Sequence, residues 1–152
     1  MPATLQRDRF FWTVALQTVV VNFFLGGFGP AQPLLRADQG TSLTIAGLHG
    51  TAMGVASIAA GLGNPWISHK FGRANAGWIG LIIFVVGLVS LSFLQPVPLT
   101  ILAAAIAGFG TSTVINSFVT SLNSHYGAKA PLAIAQANGF CAAGSIVVWR
   151  KH

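Results

Sequence analysis

Charge in this chain is confined to the gaps between long apolar runs, and that confinement limits the possible folds more than any other feature. Residues 10–29 read FFWTVALQTVVVNFFLGGFG, without a charged side chain. At a rise of about 1.5 Å per residue, about 20 helical residues cross a hydrocarbon core about 30 Å thick. Similar runs occupy 43–67, 76–94, 99–122 and 131–148. Only 7% of the 152 residues are charged, whereas a soluble domain carries about 25%. So few charges cannot cover a soluble surface of this size. The sequence therefore predicts an all-α polytopic membrane protein, a helical bundle of about five transmembrane helices, with the lipid bilayer as its main partner.

The net charge of +6 does not point to nucleic acid, because the cations do not cluster on an amphipathic surface. They sit in the short connections between runs. With the N-terminus inside, Arg7, Arg9, Lys70, Arg73 and Lys129 fall on the cytoplasmic side and Arg36 on the other, as positive-inside retention requires. We expect a multi-pass protein of the plasma membrane with a cytoplasmic N-terminus. Arg150 and Lys151 run against this pattern, since they emerge on the outer side. The first run is too long for a cleaved signal segment, and Pro30 and Pro33 fit its exit.

The short connection HKFGR, residues 69–73, carries a large share of the charge for so apolar a chain. Gly72 allows a tight turn through positive φ, and Lys70 and Arg73 hold that turn in the cytoplasm. Anchoring alone is a sufficient account of such a loop.

Small residues recur in the second run. Ala46, Gly50 and Gly54 share one face, and Ser57 and Gly61 repeat the step, a spacing that lets helices approach closely in lipid. Polar side chains inside the runs are costly and mark candidate sites. They are Gln17 and Asn22 in the first, His49 in the second, Asn116 in the fourth, and Gln136 and Asn138 in the fifth. Gly108, Ser112, Asn116 and Thr120 form a small and polar stripe at steps of four. Such groups either bind a polar solute by hydrogen bonds or join helices. For Ser112 and Thr120 the structural role is favoured, since hydroxyls often bond their own helix backbone. His49 is either a proton-sensing group or an interfacial histidine. No metal-ligand spacing, phosphate-cradling loop or acid-base pair occurs, so neither an enzyme nor a cofactor is expected.

HKFGR resembles the Asp-Arg/Lys-x-Gly-Arg loop between helices two and three of the major facilitator superfamily of secondary transporters. DQGTSLTIAGLHGTAMGVASIAAGL (38–62) is similar to that family's first outer loop and second helix, and SLNSHYGAKAPLAIAQANGFCAAG (121–144) to its fourth-to-fifth connection and fifth helix. The resemblance implies alternating-access transport of a small solute, coupled to H⁺ or another ion, through a cavity lined by helices one, two, four and five. It also implies that residues 1–148 are the N-terminal part of a longer bundle, with 149–152 an atypical tail. In the family the loop's acid and bases form a cytoplasmic contact network. Lys70, Gly72 and Arg73 match it, but His69 stands where the acid belongs and Pro65 where a glycine does. Ala104 occupies the position of the helix-four arginine found in drug-proton antiporters, which argues against that branch. The rival reading is a small structural or assembly subunit of a membrane complex.

Overall fold

A backbone in lipid has no water to bond, so each crossing segment must satisfy its own amides and carbonyls, and helices do this within one segment. The computed structural model of the protein describes residues 5–93 and 96–149. Its helices are α1 (Arg9–Gln39), α2 (Leu43–Phe71), α3 (Arg73–Ser92), α4 (Val97–Tyr126) and α5 (Ala130–Trp149). Among the described residues, four stretches are long and apolar enough to cross a membrane. They are α1, α2, α3 and a stretch from Val97 to Ala142 that contains α4 and the start of α5. Gly127, at φ 51°, breaks that last stretch. Leu94, at the expected end of the third run, and residues 150–152 of the expected tail lie outside the described residues.

Several helices outrun their apolar cores. α1 does not leave at Pro30 and Pro33 but carries both inside it, ending where Gly40 adopts φ 60°. Pro65 likewise lies within α2. A proline removes one backbone bond and crowds the carbonyl four residues earlier. That residue is Gly26, Gly29 and Gly61 respectively, whose backbones bend with least penalty. Asp8 caps the start of α1 by accepting from the Phe11 amide at 2.9 Å, and Ser42 caps α2 by accepting from Ile45 at 3.3 Å.

The connection expected between the second and third runs shrinks to one residue. His69, Lys70 and Phe71 complete α2, Arg73 opens α3, and Gly72 alone reverses the chain at φ 85°. His69 and Lys70 thus sit at the negative end of the α2 dipole, where cations are favoured.

α4 is the centre of the bundle. It packs most extensively on α3 and α2, while α1 leans on α5 and α4. α2 and α4 run parallel, with His49 beside Thr100 near one end and Ser57 beside Gly108 and Ser112 further along. α3 runs antiparallel to α4, and their contact is glycine-mediated. A Cβ on Gly110 would strike the Phe84 backbone, and one on Gly87 would lie 2.5 Å from the Ala107 amide nitrogen. Gly108 meets Met53 of α2 in the same way, at 2.6 Å from its carbonyl oxygen. The stripe expected to mediate close approach from α2 does not do so at Gly54 and Gly61, where a Cβ would meet nothing within 4 Å. The close approach comes instead from glycines on α4.

Two apolar clusters fill the remaining contacts. Phe11, Val14, Ala15, Phe118, Leu122, Ala133 and Ala137 join α1, α4 and α5. Val21, Phe84, Ala107 and Val114 join α1, α3 and α4. Large apolar side chains such as Leu16, Ile58, Leu62 and Ile82 point outward, as a lipid-facing surface requires.

Candidate functional site

The polar residues of the apolar runs do not converge on one point. The largest continuous set lines the seam between α2 and α4. There the Ser57 hydroxyl donates to the Gly108 carbonyl at 3.2 Å, and the Ser112 hydroxyl donates to the Ser57 carbonyl at 3.0 Å. Asn116 donates to the Ser112 hydroxyl at 3.3 Å, and its amide oxygen has no partner among the described residues. Thr120 donates to the Asn116 carbonyl of its own helix at 2.9 Å, the structural role expected of it. Ser112 ties its helix to α2, which is also a structural role. The seam continues through Asn64 and Ser68 to the Gly72 end of the bundle, where a cavity of about 570 Å³ is lined by Asn64, Pro65, Ser68, His69, Arg73 and Thr120.

The other candidates occupy separate places. Gln17 is buried against Gly77 of α3, whose missing side chain makes room for it. It lines a small cavity of about 100 Å³ with Thr13, Ser117 and Ser121. Its Nε2 and the Ser117 hydroxyl are buried without a protein partner. Asn22 donates to the Thr18 carbonyl at 2.9 Å and lies beside the Cys141 thiol. Asn138 is exposed on α5. Gln136 accepts from Arg7 at 2.9 Å, which ties it to the N-terminal end.

His49 is fully buried. Its Nε2 lies 2.9 Å from the Thr100 hydroxyl and its Nδ1 3.3 Å from the Ile45 carbonyl oxygen. Gln39, at the end of α1, donates to the same Thr100 oxygen at 3.0 Å. Through Thr100 the histidine thus links α2 to α4 and to the end of α1, near one end of the bundle.

At the opposite end, beyond the apolar runs, Asp8 forms a clamp. Its carboxylate accepts from His125 at 2.7 Å and from the Tyr126 hydroxyl at 2.9 Å, in addition to the Phe11 amide. The Phe11 amide, followed by His125 and Tyr126, holds the Asp8 carboxyl below its ordinary value. Burial, reinforced by the neighbouring carboxylate, pushes the Tyr126 phenol up to about 12.

Within HKFGR the side chains part company. Lys70 turns over the rings of Trp66 and Phe71, at 4.9 and 5.5 Å. His69 and Arg73 face the seam's end cavity, and neither has a hydrogen-bond or ion-pair partner among the described residues.

Asn64, Ser68 and the Gln39–Thr100 pair were not singled out by sequence reasoning. Ser57, Asn64 and Ser68 recur at steps of seven and four, a one-face helical period. That period was the available signal, and it mirrors the stripe on α4.

No curated protein and no solved structure matches the chain. A family model does: that of the Major Facilitator Superfamily, over residues 4–148. The match spans nearly all of the sequence and agrees with an all-helical bundle of membrane-crossing segments, so the chain belongs to the major facilitator superfamily, a family of membrane transporters.

Proposed function

We propose that the protein takes part in the secondary transport of a small polar solute by alternating access, with the α2–α4 seam forming part of the solute path. The observation that carries this reading is Asn116. Its amide is oriented by Ser112, while its oxygen stays free on a half-buried surface in an otherwise apolar bundle. A half-buried, pre-oriented amide offers a solute a hydrogen bond without first giving up one of its own. Asn22 and Asn138 supply further polar groups on α1 and α5. Proton coupling, if the transporter uses H⁺, runs through His49, a fully buried imidazole. The N-terminus lies in the cytoplasm of a cell bounded by the membrane that holds the protein.

Two experiments test the reading. In proteoliposomes carrying the transporter, Asn116→Leu is expected to abolish solute uptake while abundance and helicity stay normal; unchanged uptake removes Asn116 from the path. Cysteines placed at Thr41 and Ser124 are expected to react with impermeant reagents from opposite faces, Ser124 from the cytoplasm. Labelling of both from one face contradicts the topology.

A further inference from the structure

We propose that the cavity at the end of the α2–α4 seam is a binding site for a phosphate oxyanion, either the phosphate of an anionic phospholipid headgroup or a free phosphate.

The cavity, about 570 Å³, carries two basic side chains, Arg73 and His69, and no acid. The whole chain holds only two acids, Asp8 and Asp38. Asp8 is engaged by Phe11, His125 and Tyr126, and Asp38 lies in the last turn of α1, at the Thr100 end of the bundle. No side-chain carboxylate of this chain is therefore placed to pair with Arg73. Arg73 also opens α3, whose first turn has neither an acidic residue nor a side-chain cap. Its free amides and the positive end of the helix dipole attract an anion. A cation at that end is electrostatically misplaced unless an anion lies between them.

The independent sign of a ligand is inside the cavity wall. Asn64 is 6% exposed, and its Oδ1 has no hydrogen-bond partner; the Ser68 hydroxyl, one turn on, is also buried and unpartnered. Buried polar groups left unpaired are costly and call for a partner. A phosphate oxygen accepts from the Ser68 hydroxyl. It also accepts from Asn64 once the amide turns by half a rotation, which exchanges acceptor for donor. Arg73 adds a planar fork suited to two phosphate oxygens. Lys70 is turned away onto Trp66 and Phe71, which separates it from the site and makes it the natural control.

The test uses the full chain in a neutral detergent at constant ionic strength. Binding of inorganic phosphate and of short-chain phosphatidylglycerol is read from the rise in unfolding temperature, with uncharged diacylglycerol as the blank. Arg73→Gln is expected to weaken binding roughly tenfold, the loss of one charge-assisted contact, and Lys70→Gln to leave it unchanged. Should Arg73→Gln not fold, Asn64→Asp places a negative charge in the wall and is expected to abolish binding. Response to phosphatidylglycerol alone identifies a lipid headgroup as the source, and response to inorganic phosphate identifies a solute. No response to either, or equal losses in Arg73→Gln and Lys70→Gln, overturns the proposal.

Discussion

The α3–α4 contact and the second half of α1 are both rich in glycine, and they use it for opposite ends. Along α3 and α4, Gly80, Gly87 and Gly110 leave no room for a Cβ, because the facing backbone already occupies it. Along α1, Gly26, Gly27 and Gly29 face open space, where an added Cβ would meet nothing within 4 Å. In the first region glycine permits contact. In the second it accompanies Pro30 and Pro33 and permits bending. Residue counts do not separate the two uses; the neighbouring element does.

The largest expected effect breaks the first region. Gly110→Val forces a branched side chain into the Phe84 backbone, and neither helix can shift without dragging the glycines beside it. Overpacking costs typically 1–3 kcal/mol, and here about 3 kcal/mol or outright loss of the folded bundle is expected, read by unfolding in a denaturing detergent titration. Gly87→Ala, which meets Ala107, is expected to cost less, about 1–2 kcal/mol. Normal stability in both variants would mean that the α3–α4 contact is loose.

Much of this architecture is legible in the sequence, and the limits have physical causes. Lipid leaves so few options for the backbone that charge-free runs define the helices almost by themselves. Helix ends are harder. Pro30 and Pro33 read as an exit because proline disfavours helices in water, whereas α1 retains both, and in lipid the helix's own carbonyls have nowhere else to go. HKFGR reads as a loop because charge usually marks one, yet Gly72 alone reverses the chain. The polar stripe of α4 was visible from its spacing. Its partners Asn64 and Ser68 were not, because nothing in one sequence says which helix lies opposite. The same gap hid Thr100 beside His49.

The first half of α1, unlike its second, is anchored at its start by Asp8. Asp8→Ala removes the cap on Phe11 together with the bonds to His125 and Tyr126, at an expected cost of about 1 kcal/mol. The pH dependence has two signs. The Asp8 carboxyl is held below its ordinary 3.8, so its contribution is present above that value and is lost as pH falls through the lowered one. The Tyr126 phenol is raised from 10.0 to about 12, so its contribution is present below 10.0 and is lost as pH rises through about 12. The chain has one tyrosine, so phenolate absorbance reports this group alone. In Asp8→Ala its midpoint is expected to move down toward 10.0 but not reach it, because burial, the largest cause, remains. An unmoved midpoint would detach Tyr126 from the clamp.

The smallest effect decides what the open glycines of α1 are for. A glycine inside a helix costs about 1 kcal/mol relative to alanine, so Gly29→Ala, which meets nothing, should stabilise if space were the only consideration. Pro33 lies four residues on, and its ring crowds the Gly29 carbonyl. Relief of that crowding needs backbone freedom that alanine restricts. In the native background the gain and the restriction oppose each other, and Gly29→Ala is expected to change stability by no more than about 0.5 kcal/mol. In a Pro33→Ala background the restriction disappears, and the same substitution is expected to gain up to about 1 kcal/mol. The two differ through a coupling that a double-mutant cycle measures directly. Gly54, equally open but with no proline four residues later, serves as the reference: Gly54→Ala is expected to gain that amount without any second change. Equal effects of Gly29→Ala in both backgrounds would show that proline and glycine act independently in α1.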